Sequence, residues 1–364
     1  MDYETRFTER ILVVNPRSLF TKMAVYDDNK LVYLRKIDHN LEAFQGLSHI
    51  NDQFDIRKEA ILREMANADI DLDKITAVVG RGGLVKPLQS GVYLVNEKMK
   101  YDLLHNPSGE DTVNLGALLA DDLAQSLPNA KAYIADPIVV DELADVARIG
   151  GHPEFPRKSV FHALNQKAMA RRYAKSVLRD YAELNLIVAH MGVGITVGAH
   201  SKGRVIDVNQ GFDGYGPFSP KRSGTIPAGD LLRLCFSGKY TKDEVVKMVM
   251  GEGGLKAWLG TEDVALIEKR AYEDRDEKAR LVFEAMAYNV AKEIASMYPV
   301  LMGEVDAIIL TGGIANSARF VNYIIERVNK LAPVIVYPGG DEMESLAMNV
   351  LAVLRGSKEV LEYI

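Results

Sequence analysis

The chain has 364 residues with 48% hydrophobic and 26% charged content, ordinary globular values that exclude global disorder. Lys and Arg number 44 against 50 Asp and Glu, and the net charge of −6 argues against nucleic-acid or anionic-membrane binding through positive charge. The single cysteine, Cys235, rules out an intramolecular disulfide or a multi-cysteine zinc site and fits a reducing cytoplasm.

Residues Met1-Asp2-Tyr3-Glu4 lack the basic and apolar regions of a signal peptide, and nowhere do about eighteen apolar residues run together as a bilayer span requires. The first strand is expected at Ile11–Asn15, an apolar run suited to burial on both faces. A polar turn, Pro16-Arg17-Ser18, leads to a second strand at Met23–Tyr26. Asp27-Asp28-Asn29-Lys30 reads as a hairpin turn into a third at Leu31–Leu34. Residues 55–67 have helical spacing and lead into Ile75–Val79, which ends in Gly80-Arg81-Gly82-Gly83; a further strand follows at Ala132–Asp136.

From Leu186 the phrase recurs. Leu186–His190, Ile195–Gly198 and Arg204–Val208 form the second set of three strands, with turns at Met191–Gly194 and Ser201–Gly203. A helical stretch, 276–298, then leads to Val305–Thr311 ending in Gly312-Gly313, and a last strand is expected at Val334–Tyr337. Two long copies point to two related α/β domains, each with three antiparallel strands extended by helix-connected strands. A helix over Glu344–Leu354 should pack back on the first.

Small residues at strand ends let backbone N–H groups approach phosphate oxygens. Gly192 and Gly194, after His190, supply such a turn in the second copy; Asn15, Ser18 and Lys22 supply an amide, a hydroxyl and a cation in the first. Gly312, Gly313 and Asn316 lie in a strand–Gly-Gly–helix phrase, which places a helix N-terminus beyond a strand's carboxyl end. The Gly-x-Gly-x-x-Gly, P-loop, His-x-x-x-His and Gly-x-Ser-x-Gly signatures are all absent.

Three stretches together carry a family resemblance. They are Gly151–Arg157 with Phe161–Lys167, Ala189–Ile195, and Val208–Gly214 with Gly216–Pro220 and Arg222–Gly224. From about Ile11 to Leu361 the chain resembles the butyrate kinases of the acetate kinase family, within the acetate and sugar kinase, Hsp70 and actin superfamily. The resemblance implies two duplicated ribonuclease-H-like domains (βββαβαβα each), residues 1–150 plus 345–364 and 151–344, with a nucleotide cleft between them. It also implies reversible phosphoryl transfer between ATP and a short-chain carboxylate, giving an acyl phosphate and ADP, in a cytoplasmic homo-oligomer of at least two subunits.

A carboxylate nucleophile is already charged, so the chemistry asks chiefly for cations that bring two anions together. Arg81 and Arg222 suit that task because a guanidinium grips oxyanions bidentately and stays charged. The resemblance makes His162 a hydrogen-bond donor to the transferring phosphoryl group and Asp136 the catalytic aspartate, although an Asp before Pro137 also simply starts a turn. Magnesium would bridge the phosphates with few protein ligands, Asn15 and Glu344 being the candidates and Glu342 the alternative for the latter.

Two departures from the family pattern stand out. Arg17, Leu19 and Phe20 interrupt a first turn that is usually small and hydroxyl-rich, leaving Ser18, Thr21, Lys22 and backbone for phosphate contact. Val193 replaces the usual glycine or asparagine of the second turn. An acetate or propionate kinase, its pocket lined by Phe161, and a nucleotide-binding regulator without turnover are the alternative functions.

Overall fold

The computed structural model describes residues 8–68, 70–105, 109–340 and 342–364, so residues 1–4, on which the signal-peptide expectation rests, lie outside the described residues. The chain forms two units, Met1–Val140 with Asp341–Ile364, and Asp141–Gly340. The first division falls before residue 150 because the following segment is tied into the second unit. There the Ala144 amide donates to the Ile206 carbonyl at 2.9 Å, and Glu142 pairs with the buried Lys167 at 2.8 Å. The return falls before 345 because Glu342 already begins a helix of the first unit.

In the first unit the antiparallel strands β1 (Arg10–Pro16), β2 (Phe20–Asp27) and β3 (Lys30–Asp38) arise from the apolar runs and turns noted above. Strand β4 (Ile75–Arg81) lies parallel to β1, and β6 (Lys131–Ala135) parallel to β4. A short β5 (Val92–Leu94) runs antiparallel beside β6, and the closing strand Val360–Leu361 completes the edge. The order is closing strand–β5–β6–β4–β1–β2–β3. Leu12, Val14, Val78 and Ile134 are fully buried from the sheet, against Ile61 of helix Phe54–Asn67 and Leu115 and Leu119 of helix Asn114–Gln125. On β1, β4 and β6 also packs the last helix, Glu342–Leu354.

One close approach fixes the end of β4. A Cβ on Gly80 would sit 2.0 Å from the Gly116 carbonyl oxygen, and one on Gly116 would sit 2.2 Å from that of Arg81. The two glycines therefore allow helix Asn114–Gln125 to lie directly on the strand that delivers Arg81.

The second unit repeats the plan. Strands β7 (Asn185–Met191), β8 (Ile195–Ser201) and β9 (Arg204–Val208) are antiparallel, while β10 (Ala307–Gly312) and β11 (Val334–Pro338) extend the sheet in parallel. Its order, β11–β10–β7–β8–β9, matches β6–β4–β1–β2–β3 of the first unit. Helix Glu277–Val300 buries Phe283, Met286, Val290 and Ile294 against one face; helix Ala163–Ser176 covers the other with Met169 and Ala170. Among the described residues no helix is long and apolar enough to cross a membrane.

Candidate functional site

Because β1, β4 and β6 run in parallel, their carboxyl ends bring Asn15, Arg81 and Asp136 to one edge of the first sheet, with Arg81 in register with Ala135. Carboxyl-end edges are where open α/β sheets place ligands. Glu342 enters from the first turn of the last helix and joins Asn15 and Arg81. Arg81 Nη1 donates to Glu342 Oε1 and Oε2 at 2.9 and 3.0 Å, and Asn15 Nδ2 to Oε2 at 2.8 Å. Arg17 Nη2 donates to the same oxygen.

Burial alone would raise the Glu342 carboxyl, but the charges of Arg81 and Arg17 and the Asn15 hydrogen bond outweigh it. Glu342 is therefore held well below the usual carboxylate range. Burial lowers the Arg81 guanidinium, with Glu342 opposing that effect. The carboxylate beside Asn15 is thus Glu342, whereas Glu344 is exposed. Residues two apart on a helix lie about 200° apart around its axis, so only one of them can face the sheet edge.

Lys22 sits directly opposite Asn15 across β1 and β2 and therefore on the same face; it is exposed, and its side chain makes no hydrogen bond or ion pair among the described residues. Ser18 is exposed in the turn. Thr21, offered by the sequence as a further contact, is instead buried and bonded inward to Arg57 and His39. Asp136 follows the end of β6 with φ 40°, a left-handed conformation uncommon outside glycine. Its Oδ1 accepts from Ser90 Oγ at 2.5 Å and from the Gly91 amide at 3.0 Å, which pins the carboxylate at the strand end.

In the second unit five of the sequence-derived residues converge. The rings of His162 and His190 stack with centroids 4.0 Å apart and planes 21° apart. A Cβ on Gly194 would lie 2.5 Å from Arg222 Nη1 and 3.4 Å from His162 Cε1, and one on Gly192 would lie 3.2 Å from His190 Nε2. Arg222 donates to the Gly211 carbonyl and lies over the Phe212 ring, 5.0 Å from its centroid.

Supporting bonds hold both rings in place. Thr196 Oγ1 accepts from Gln166 Nε2 at 2.9 Å and lies 2.9 Å from His162 Nδ1, which leaves Nε2 as the ring nitrogen not engaged with Thr196. Asn165 Oδ1 accepts from His190 Nδ1 at 2.7 Å. Val193 is 58% exposed, its carbonyl capped by Ser219 Oγ at 2.6 Å, so its side chain leaves the turn's glycines unobstructed.

Gly312 has φ 93° and closely approaches Met191, and its amide and carbonyl pair with Gly339. The expected strand–Gly-Gly–helix phrase differs in one respect. A 3-10 turn, Gly313–Asn316, comes first, and the α-helix starts only at Ala318 under a Ser317 cap. Gly313 has open space around its α-carbon, and Asn316 is exposed, its side chain donating to the Gly313 carbonyl.

Against this geometry the comparisons with known proteins are direct. The Acetokinase family model matches residues 154–335. Butyrate kinase 2 and butyrate kinase 1 of Clostridium acetobutylicum are 48% and 50% identical over 354 residues, covering 97% of this chain and 99% of each relative. The chain belongs to the acetokinase family. Among solved structures, the Porphyromonas gingivalis acetate kinase aligns with TM-score 0.75 at 18% identity, over 95% of this chain and 100% of that one. A propionate kinase from Francisella tularensis aligns with TM-score 0.72 at 20% identity, over 94% and 98%. These neighbours share the two-domain α/β fold.

Side chains to which the motif reading gave no role support both clusters of this acetokinase-family chain. Asn165, Gln166 and Thr196 orient the two histidines, and Arg57 lies beneath the first turn. Arg57 had a signal: it precedes the buried Ile61 and Met65 by one and two helical steps of four, on the inward stripe of its helix.

A magnesium ion that rides on nucleotide phosphates needs only one or two protein oxygens. Among the described residues no group of three or more His, Cys, Asp or Glu is arranged to hold a metal. Asn15 Oδ1, however, is buried beside the Glu342 carboxylate without any hydrogen-bond partner among the described residues. An orphaned acceptor of this kind fits a sparse cation site.

Proposed function

We propose that this chain is a butyrate kinase, transferring the γ-phosphoryl group of ATP reversibly to butyrate or a branched short-chain fatty acid. The observation that carries the reading is the near-full-length likeness to the Clostridium butyrate kinases. The placement of an arginine in each strand-end cluster supports it. A carboxylate oxygen forms a bond to the γ-phosphorus as the bond to the β–γ bridging oxygen breaks. ADP leaves with that electron pair, and no proton need move.

Arg81 and Arg222 neutralise the anions as they meet, His162 donates from Nε2 to the phosphoryl oxygens, and Asp136 positions the reacting groups. Asn15 and Glu342 would hold magnesium, which when bound neutralises phosphate charge. Lys22, Ser18 and the turns at Gly192, Gly194, Gly312 and Gly313 serve the nucleotide. The chain is further proposed to act in the cytoplasm as a homo-oligomer, checked by light scattering.

The test is ADP release with acetate, propionate, butyrate and isobutyrate, with hydroxylamine trapping of the acyl phosphate. Product rising to a maximum at four carbons is expected; no product with any carboxylate would refute the function. One methylene is worth only about 1–3 kcal/mol in an apolar pocket, so shorter acids should react less well rather than not at all.

A further inference from the structure

Arg57 is fully buried, yet no carboxylate pairs with it among the described residues. Its guanidinium is spent on the hairpin turn between β1 and β2. Nη2 donates to the Ser18 carbonyl at 3.2 Å, and Nη1 to the Phe20 carbonyl at 3.3 Å and to Thr21 Oγ1 at 3.0 Å. Gln53 Oε1 accepts from Nε and Nη2 at 3.1 and 2.7 Å, and the Phe44 ring lies 5.1 Å away. Thr21 Oγ1 is also hydrogen-bonded to His39 Nε2 at 2.8 Å. The His39 amide in turn donates to the Leu19 carbonyl at 2.9 Å. Burial pushes the guanidinium down to about 10, so it remains charged at neutral pH. Burial and that charge push His39 down to about 4, keeping it neutral.

Arg57 thus holds the Ser18 and Phe20 carbonyls, the latter shared with the Arg17 amide at 2.8 Å, while the Leu19 carbonyl turns the other way to the His39 amide. In a trans peptide the following N–H points opposite to the carbonyl, so the Leu19 amide faces away from Arg57. Neither the Ser18 nor the Leu19 amide makes a hydrogen bond among the described residues. An uncancelled buried cation behind an outward backbone amide is an anion-attracting arrangement that needs no hydroxyl side chains. It accounts for a turn that carries Leu19 and Phe20 where hydroxyls are usual.

We propose that Arg57 is a positioning residue for the nucleotide phosphates. It holds the Ser18 and Phe20 carbonyls, so presents the Leu19 amide to a phosphate group, and adds a positive charge that no carboxylate cancels. The proposal rests on the kinase reading above, in which this turn meets ATP.

Calorimetry with ATP and with adenosine, each without carboxylate, tests it on wild type and Arg57→Met. Losing hydrogen bonds from a charged donor should weaken ATP by about tenfold or more. Adenosine affinity and the KM for butyrate should stay within about twofold, because a general loosening of the fold would move all three. Arg57→Lys, which retains the charge, should fall between wild type and Arg57→Met. Equal losses for ATP and adenosine, or no loss for either, would overturn the assignment. Amide exchange of wild-type residues 17–22 supplies a check independent of the variants: ATP should slow it and adenosine should not. Exchange indifferent to ATP overturns the role of Arg57 alone where the wild type is active. A wild type that neither binds ATP nor phosphorylates a carboxylate overturns the kinase reading together with it.

Discussion

Replacing Glu342 by glutamine isolates the charge that ties the last helix to the first sheet. Arg81 and Glu342 have side chains only 9% and 13% exposed, so the pair belongs with buried rather than surface ion pairs. Breaking such a pair costs about 3–5 kcal/mol, against about 0–1 at a surface. The glutamine side chain would retain one acceptor for Arg81, so a loss near about 3 kcal/mol is expected at pH 7.

The pH dependence gives the sign. Glu342 is depressed in the folded protein, while an unfolded glutamate keeps its ordinary 4.5. The stabilisation is therefore complete above 4.5 and lost as the pH falls below it, by about 1.4 kcal/mol per pH unit. The variant has nothing to titrate at this position, so the gap between the proteins should be level from neutrality to about pH 5.5 and narrow beneath 4.5. Fluorescence is the wrong probe, because the single tryptophan, Trp258, lies in the second unit. Hydrogen exchange of helix Glu342–Leu354, followed in denaturant, reads the first unit directly. A gap under about 1 kcal/mol, or one that does not narrow in acid, would refute the reasoning.

Arg81→Ala and Arg222→Ala should each lower turnover by about 10²–10³-fold in the acyl-phosphate assay, and near-normal rates would show the site to be misplaced. Gly194→Ala would crowd Arg222 Nη1, the far end of a flexible side chain, so thermal unfolding should barely change while turnover falls. Gly116→Ala would instead meet the Arg81 backbone at 2.2 Å, and denaturant unfolding should show a loss of at least about 1–3 kcal/mol. Glu142→Gln removes the counter-charge of the buried Lys167 ammonium while leaving its bond to the Gly203 carbonyl, and Trp258 fluorescence in denaturant should report about 3 kcal/mol less stability in the second unit.

The duplicated strands were legible because each is an apolar run closed by turn residues, and the sheets differ from expectation only where that signal thins. Val92–Leu94 and Val360–Leu361 are too short to carry a period, and both are edge additions. Phe20 to Lys22 read as turn because polar and apolar residues mix there, yet pairing with β1 and β3 draws them into β2. Within the site, glycines and strand-end residues were visible as motifs; their supports were not, since Thr196, Gln166 and Arg57 act through tertiary contacts that no local spacing encodes. Glu342 and Glu344 are equivalent in composition, and only helical phase separates them.

The ion cluster at Asn15, Arg17 and Arg81 has its counter-charge more than two hundred positions away, after the whole of the second unit. During translation the amino-terminal sheet emerges with its guanidinium groups and must wait for almost the entire remaining message before Glu342 arrives. The inserted unit is contiguous from Asp141 to Gly340 and contains every strand of its own sheet. The leading sheet is thus without its counter-charge for as long as the whole second unit takes to be made.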